Sequence, residues 1–357
     1  MLNFKKYERQ IILPNFGIAA QQKLQQARVL IIGAGGLGCP VILYLAASGI
    51  GNIGIAESDA VSLSNLHRQI IYSENQIGKP KAEALQQKLS DYNFKIYNSI
   101  QKENVLNIFK DYDIIVDTTD NFQTRYLVND ACVLLDKILV SASIHQYQGQ
   151  LSVYNYPISN DERSATYRCL FPEAPTNSLN CAEAGVLPTI AGIIGTMQAH
   201  ETIKVITSVG DILCNKLLIF DGLKMQQNII QFSKDKVAVE ELLKNGLTEN
   251  YETNFDCEVE NLQEITLDEL NEKIKNGDDF QLIDVREWHE HETFNIGGEW
   301  IQMNDLLKQP EKIAPNKPVI LYCRVGERSS ITQQRLQDKY GFTNLFNLKG
   351  GIKKLMN

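Results

Sequence analysis

The chain has 357 residues, enough for about two domains at roughly 150 residues each. Hydrophobic residues make up 43% and charged residues 22%, a balance that excludes disorder and low complexity over most of the length. With 35 lysines and arginines against 43 aspartates and glutamates, the net charge is −8, which argues against nucleic acid or an anionic membrane as partner.

The first strand pattern is RVLII, running into GAGGLG (Gly33 to Gly38) and a helix that ends near Ser48. A short strand, NIGIAE, follows. Helix and strand then alternate: a helix from about Lys81, strands at Phe94 to Asn98 and Asp113 to Asp117, a helix from about Phe122, and a strand at Ile138 to Ser141. Such alternation predicts a parallel sheet covered on both faces. At Gln150 to Tyr154, and again in KLLIFDGLKMQQNIIQF, the pattern changes, and Asp221-Gly222 between two apolar runs signals a hairpin, so the sheet is mixed. From about Phe232 to Asn261 the chain is polar and reads as a linker. Thr266 then opens a helix, with Glu269 completing a capping box and Gly277 ending it. Strands FQLIDV and PVILYC follow, the second ending on Cys323. The fold class is α/β: a Rossmann-like domain over 1–240, a linker over 241–263, and a small α/β domain over 264–357.

Seven cysteines are too few for a disulfide scaffold, and their odd number fits a reducing compartment. The first residues, MLNFKKYERQIILPNF, hold no apolar signal core. The most apolar helical pattern, Thr189 to Ile206, is broken by Gln198, His200, Glu201 and Lys204, short of the run of about 18 that a membrane span needs. The expectation is a cytoplasmic protein.

Gly33, Gly35, Gly36 and Gly38 lie between a strand and a helix, where glycine lets the backbone approach a phosphate and the helix N-terminus offers N–H groups. Glu57, at the end of the next strand, occupies the position of a ribose-binding carboxylate. These features alone also fit a nicotinamide-dependent oxidoreductase. The continuation is more specific: ESDAVSLSNLHRQ over 57–69, GKPKAEAL from Gly78, DTTDN over Asp117 to Asn121, and Arg125. Together, from about Tyr7 to Phe232, these motifs resemble the MoeB/ThiF family of adenylyltransferases, relatives of the ubiquitin-activating enzymes.

The resemblance implies that ATP and magnesium activate the C-terminal glycine of a small ubiquitin-like sulfur carrier ending in Gly-Gly. Arg68 and Lys81 match the family's phosphate-binding positions, Asp120 its magnesium carboxylate, and Arg9, in YxRQ, an arginine donated to the partner subunit of a homodimer. Ser64, Asn65 and Asn121 join the nucleotide-binding set. Uniting a carboxylate with a triphosphate brings anions together, so fixed positive charge is what the site needs most. Gly192 and Gly195 read as small residues for close helix packing at the subunit interface. Cys181, in NCAEAGV, matches a cysteine that in some members attacks the activated carrier or resolves a persulfide bond. Many relatives bind a structural zinc through two CxxC pairs. Here the first reads Thr166-Tyr167-Arg168-Cys169 and the only later candidate is Cys257, two thiols where a zinc site takes four ligands. No zinc is expected, and the polar stretch from about Ser233 is expected to be weakly anchored.

In the second domain, Cys323, Arg324, Val325, Gly326, Glu327 and Arg328 form a loop between strand and helix whose N–H groups can hold a thiolate or persulfide. With LIDVREWHEHETFNIGGEWIQM before it and NLFNLKGGI after it, this stretch resembles a rhodanese domain. The resemblance makes Cys323 the sulfur carrier, with Arg324 and Arg328 lining its loop. His289 and His291 read as exposed polar residues, and Trp288 and Trp300 as packing. The joint implication is adenylylation of a MoaD-like carrier of molybdopterin biosynthesis, with sulfur supplied by a donor such as a cysteine desulfurase. A ThiS-like carrier for thiazole synthesis is the alternative.

Overall fold

The computed structural model describes residues 4–92, 94–160, 162–173, 185–248, 251 and 262–356. The chain forms two compact units, Met1–Thr253 and Asn254–Asn357, each built on its own sheet.

In the first unit, helices α1 (Phe4–Ile11) and α2 (Gly17–Gln26) precede β1 (Arg28–Ile32). Val29 and Ile31 of β1 face one apolar cluster and Leu30 and Ile32 another, so the strand is buried on both sides, as a central parallel strand requires. There follow α3 (Gly38–Ala47), β2 (Asn52–Ala56), α4 (Lys81–Lys88), β3 (Phe94–Tyr97), α5 (Lys102–Phe109), β4 (Ile114–Asp117), α6 (Phe122–Leu134) and β5 (Ile138–His145). Strands β3-β2-β1-β4-β5 are parallel, and β6 (Gln148–Tyr154), β7 (Lys216–Asp221) and β8 (Gln226–Gln231) extend the sheet antiparallel. The mixed sheet and the hairpin at Asp221 are those read from the sequence. Asp221 accepts the N–H groups of Leu223 and Lys224, closing a wider loop than a two-residue turn. Strand order reverses between β1 and β4, and such a switch opens a crevice at the strands' carboxyl ends.

A long helix, Pro188–Thr207, lies against α3. Gly195 makes this possible: a Cβ there would come within 2.5 Å of Pro40 Cγ and 2.6 Å of Leu37 O. Gly195 therefore serves packing within the chain, not the subunit contact expected of it. A Cβ at Gly192 would meet nothing within 4 Å.

In its described residues, 233–248 and 251, the stretch after Phe232 is better anchored than its polarity suggests. Asp235 caps the helix Lys236–Asn245, whose Val239 and Leu242 are buried with Val133 of α6. Tyr251 buries its ring and donates its hydroxyl to Asp130 Oδ2 at 2.9 Å. Asp130, with no exposure, also accepts a two-pronged bond from Arg168 at 2.7 and 2.8 Å. Sequence patterning missed this because the contacts run between residues far apart in the chain.

The second unit has five parallel strands in the order β11-β10-β12-β13-β9. They are β9 (Gln263–Ile265), β10 (Gln281–Asp284), β11 (Glu299–Trp300), β12 (Val319–Tyr322) and β13 (Leu345–Leu348). The capping box forms as read, with Thr266 N–H on Glu269 Oε2 at 2.8 Å, and Gly277 ends the helix Leu267–Asn276 at φ +72°.

Asp130→Ala is expected to cost about 3–5 kcal/mol, because it leaves the Arg168 guanidinium partly buried without its carboxylate. Urea denaturation measures this, and a loss below about 1 kcal/mol would show that Arg168 finds water instead.

Candidate functional sites

Three side chains fix the glycine loop. Thr118, directly after β4, donates its hydroxyl to the carbonyls of Ile32 and Gly33 at 2.7 and 2.9 Å. Tyr72 donates its hydroxyl to Ala34 O at 3.1 Å. Glu57, at the end of β2, accepts the Ala34 N–H on Oε2 at 2.8 Å and the Asp59 N–H on Oε1 at 2.8 Å. The ribose-position carboxylate thus holds the loop through its own backbone. Gly38 is obligatory, since a Cβ there would lie 2.2 Å from Gly33 O.

Two of the cations expected to bind phosphate lie on this frame. Lys81, the first residue of α4, is buried, with Nζ 2.9 Å from Asp59 Oδ2 and 3.8 Å from Glu57 Oε2. Arg68 lays its stem against the loop: a Cβ at Gly36 would sit 3.3 Å from its Cγ. Its guanidinium donates to Asn65 Oδ1 at 2.9 Å and to Ser64 O at 3.3 Å, which gives both of these expected residues a part in placing it. Asp120 is exposed on the segment after β4, two residues beyond Thr118. Asn121 caps α6 by accepting the Thr124 N–H at 2.8 Å.

Arg125 has a different task. It is buried, 3.2 Å from Asp117 in a geometry off-line for a hydrogen bond, and donates to the carbonyls of Thr119 and Ala142. It shapes the Asp117 to Asp120 segment from beneath. Arg9 is exposed on α1, which meets the far end of α3 through Tyr7 at Gly49 and Gln10 at Ser48. The glycine loop lies at the other end of that helix, so the chain does not bring its own Arg9 to the loop.

The cysteines separate by environment. Cys39 has no exposure, and burial pushes its thiol up to about 12, which marks it as a core residue. Cys132 is also buried. Cys169 is half-buried and its Sγ accepts the N–H groups of Thr166 and Asp235, both at 3.3 Å. The Thr166 hydroxyl also lies 3.3 Å from this sulfur. Cys181 and Cys257 lie outside the described residues. Among the described residues no group of three or more His, Cys, Asp or Glu side chains is placed to hold a metal, and no helix is long and apolar enough to cross a membrane.

In the second unit, β12 delivers Cys323 to a loop that turns through Gly326 at φ +93° into the helix Glu327–Tyr340. The buried Cys323 sulfur accepts the Gly326 N–H at 3.1 Å. Ser329 Oγ lies 3.5 Å from the sulfur and 2.6 Å from Asn347 Oδ1. Arg324 and Val325 are exposed on the loop. Arg328 meets Glu290 in a two-pronged ion pair, 2.7 Å on each arm. Burial opposes charge on Glu290, but the Arg328 guanidinium outweighs it and holds the carboxyl below its ordinary range. The pair is thus intact above the ordinary carboxylate pKa and is lost as pH falls through the lowered one. His291 is not the exposed polar residue expected. Its Nδ1 is 2.9 Å from Oδ2 of Asp284, a fully buried carboxylate also held by Arg286. Trp288 and Trp300 pack edge to face at 5.0 Å.

Sequence comparison agrees with this division. The ThiF family model matches residues 7–240, and the rhodanese-like domain model matches residues 266–357. The chain belongs to the ThiF family and carries a rhodanese-like domain behind the ThiF domain. It is 36% identical over 359 residues to "Probable adenylyltransferase/sulfurtransferase MoeZ" of Mycobacterium tuberculosis, covering 97% of this chain and 91% of that protein. It is 37% identical over 375 residues to "Adenylyltransferase and sulfurtransferase MOCS3" of Drosophila sechellia, covering 97% and 82%. Among solved structures, E. coli MccB bound to MccA-N7isoASN superposes with a TM-score of 0.55 at 22% identity, over 66% of this chain and 74% of that one, a likeness of fold.

Tyr72, Asp59, Glu290 and Ser329 were not singled out from sequence. Three of them lay within or beside quoted motifs: Asp59 two residues beyond Glu57, Glu290 inside LIDVREWHEHETFNIGGEWIQM, and Ser329 directly after Arg328. Gly326→Ala places a Cβ about 3.0 Å from Gly350 N in a backbone conformation that L side chains resist. The expected outcome is about a tenfold or greater loss of Cys323 persulfide formation as the N–H that faces the sulfur shifts, read by mass spectrometry of the Cys323 peptide. Unchanged formation would show that the loop tolerates a different turn.

Proposed function

We propose that the first unit adenylylates the C-terminal glycine of a small ubiquitin-like sulfur carrier, and that the second supplies the sulfur that turns this glycine into a thiocarboxylate. The observation that carries the reading is the arrangement at the carboxyl ends of β1, β2 and β4. Arg68 lies on Gly36, buried Lys81 stands beside Glu57, and Asp120 is exposed past Thr118. A carboxylate oxygen attacks the α-phosphorus of ATP, the bond to the bridging oxygen breaks, and pyrophosphate leaves with its electron pair. Arg68 and Lys81 supply fixed charge where negative charge accumulates, an effect of about 3–4 kcal/mol per group. Magnesium fits this site: the exposed Asp120 carboxylate is the hard oxygen donor that would hold it, and the bound ion would neutralise phosphate charge.

A persulfide on Cys323 then attacks the activated acyl carbon and AMP departs. A second thiolate, for which we assign Cys181, attacks the Cys323 sulfur and releases the thiocarboxylate, leaving a disulfide for an external thiol to reduce. We assign a MoaD-like carrier, a persulfide-bearing donor such as a cysteine desulfurase, a cytoplasmic setting, and a homodimer in which Arg9 reaches the other copy's site. A ThiS-like carrier would undergo the same chemistry.

Exchange of labelled pyrophosphate into ATP tests the first step. Exchange is expected only with a carrier ending in Gly-Gly, and presenting a MoaD-like and a ThiS-like carrier in turn separates the two assignments. Arg68→Ala should lower the exchange rate about 100- to 1000-fold. Since Arg68 is only partly buried, its melting temperature should stay near that of the wild type. Asp120→Ala should lower the rate and raise the magnesium concentration needed for half-maximal exchange. Full exchange in either variant would remove that residue from the site, and carrier-independent reduction of a nicotinamide would overturn the reading.

A further inference from the structure

The two arginines of the sulfur loop differ. Arg324 is exposed, and its backbone carbonyl accepts the Lys353 N–H at 2.8 Å. Arg328 is held by Glu290 on both arms of its guanidinium. Both side chains of this pair are largely withdrawn from water, at 16% and 20% exposure, so solvent screens it weakly. Beyond the pair, the field of Arg328 is that of a dipole, not of a full positive charge.

Glu290 lies 38 positions before Arg328 and is brought there by the short helix Trp288–Thr293. That helix is fixed at several points. His291 bonds Asp284, Arg286 donates to Asp284 and to Phe294 O at 2.7 Å, and Trp300 donates to Arg286 O at 2.9 Å. The carboxylate is therefore set against Arg328 by a rigid support.

We propose that Glu290 biases which sulfur donors Cys323 accepts: by neutralising Arg328 it leaves a small dianionic donor only one of the loop's two arginines, the exposed Arg324, and so favours donors that present sulfur as a thiol persulfide. The inference rests on the sulfur-transfer reading of this unit. With thiosulfate, the Cys323 thiolate attacks the terminal sulfur, a new S–S bond forms, the bond to the sulfonate sulfur breaks, and sulfite leaves with the electron pair. With a thiol persulfide, the thiolate takes the outer sulfur and the donor leaves as a thiolate. The first reaction brings a dianion to the thiolate, whereas the second brings a persulfide group with at most one negative charge on its sulfurs.

The test uses the full chain and its Glu290→Gln variant, which keeps the side chain's size and removes its charge. Thiosulfate-to-cyanide sulfur transfer is measured at steady state. Loading of Cys323 from cysteine persulfide is followed in parallel by mass spectrometry. Glu290→Gln is expected to raise kcat/KM for thiosulfate about tenfold, mainly through a lower KM, and to change persulfide loading by less than about twofold. Glu290→Asp, which keeps the charge, should stay near the wild type. Adding Arg328→Gln to Glu290→Gln should cancel the gain, which places the effect on that guanidinium. An unchanged or lower kcat/KM for thiosulfate in Glu290→Gln overturns the proposal. So does an equal fall in both assays, the mark of a merely structural role. If the wild type loads from neither donor, the sulfur-transfer reading fails and the proposal with it.

Discussion

Glu57 is a carboxylate with almost no exposure, and the first site is built around it. One oxygen holds the Ala34 N–H of the glycine loop, the other holds the Asp59 N–H, and the Lys81 ammonium stands 3.8 Å away. A buried carboxylate without compensation is costly, so this placement of Lys81 is also a condition of folding. The same contact joins three stretches distant in sequence: the turn after β1, the end of β2 and the start of α4. The shape of the loop and the position of the cation are thus one constraint, and a nucleotide would meet a surface already organised.

On the proposed reading the two units face anions of different charge. A triphosphate carries several negative charges, and its reaction partner is another anion. On the proposed reading Arg68 and Lys81 face that charge, Lys81 from within its own contacts to Asp59 and Glu57. A persulfide carries one diffuse charge on sulfur, for which a backbone N–H such as that of Gly326, at the start of a helix, is sufficient. Of the loop's two arginines, Arg324 is exposed and Arg328 is answered by Glu290.

Much of the fold was legible because its signals are local. RVLII followed by a glycine loop, the alternation through Ser141, the Asp221 hairpin and the Thr266 capping box each depend on neighbours in sequence. The positions of Arg68 and Lys81 were legible for a similar reason, since each sits within a short motif. What escaped were contacts that only the folded chain creates. Tyr72 reaches Ala34 across 38 positions, Tyr251 reaches Asp130 across 121, and Glu290 reaches Arg328 across 38. The polarity of the stretch after Phe232 suggested a loose tether, because its few apolar residues, Val239 and Leu242, gain meaning only beside Val133. His291 was misjudged on the same ground: nothing near it in sequence announces that Asp284 is buried.

Motif membership alone does not give an arginine its role; burial and partners do. Arg125 stands four positions after the DTTDN motif and Arg68 within ESDAVSLSNLHRQ, yet Arg125 donates to Thr119 O and Ala142 O beneath the surface. Arg9 presents the opposite case, an exposed guanidinium with no place at its own chain's glycine loop. The ten residues of α3 separate the contacts of α1 from that loop by about 15 Å, more than an arginine side chain spans. An arginine so placed can act on a nucleotide only if a second molecule presents its own glycine loop to α1. Within this geometry the partner assignment and the role of Arg9 stand or fall together, because a monomer would leave its charge facing water.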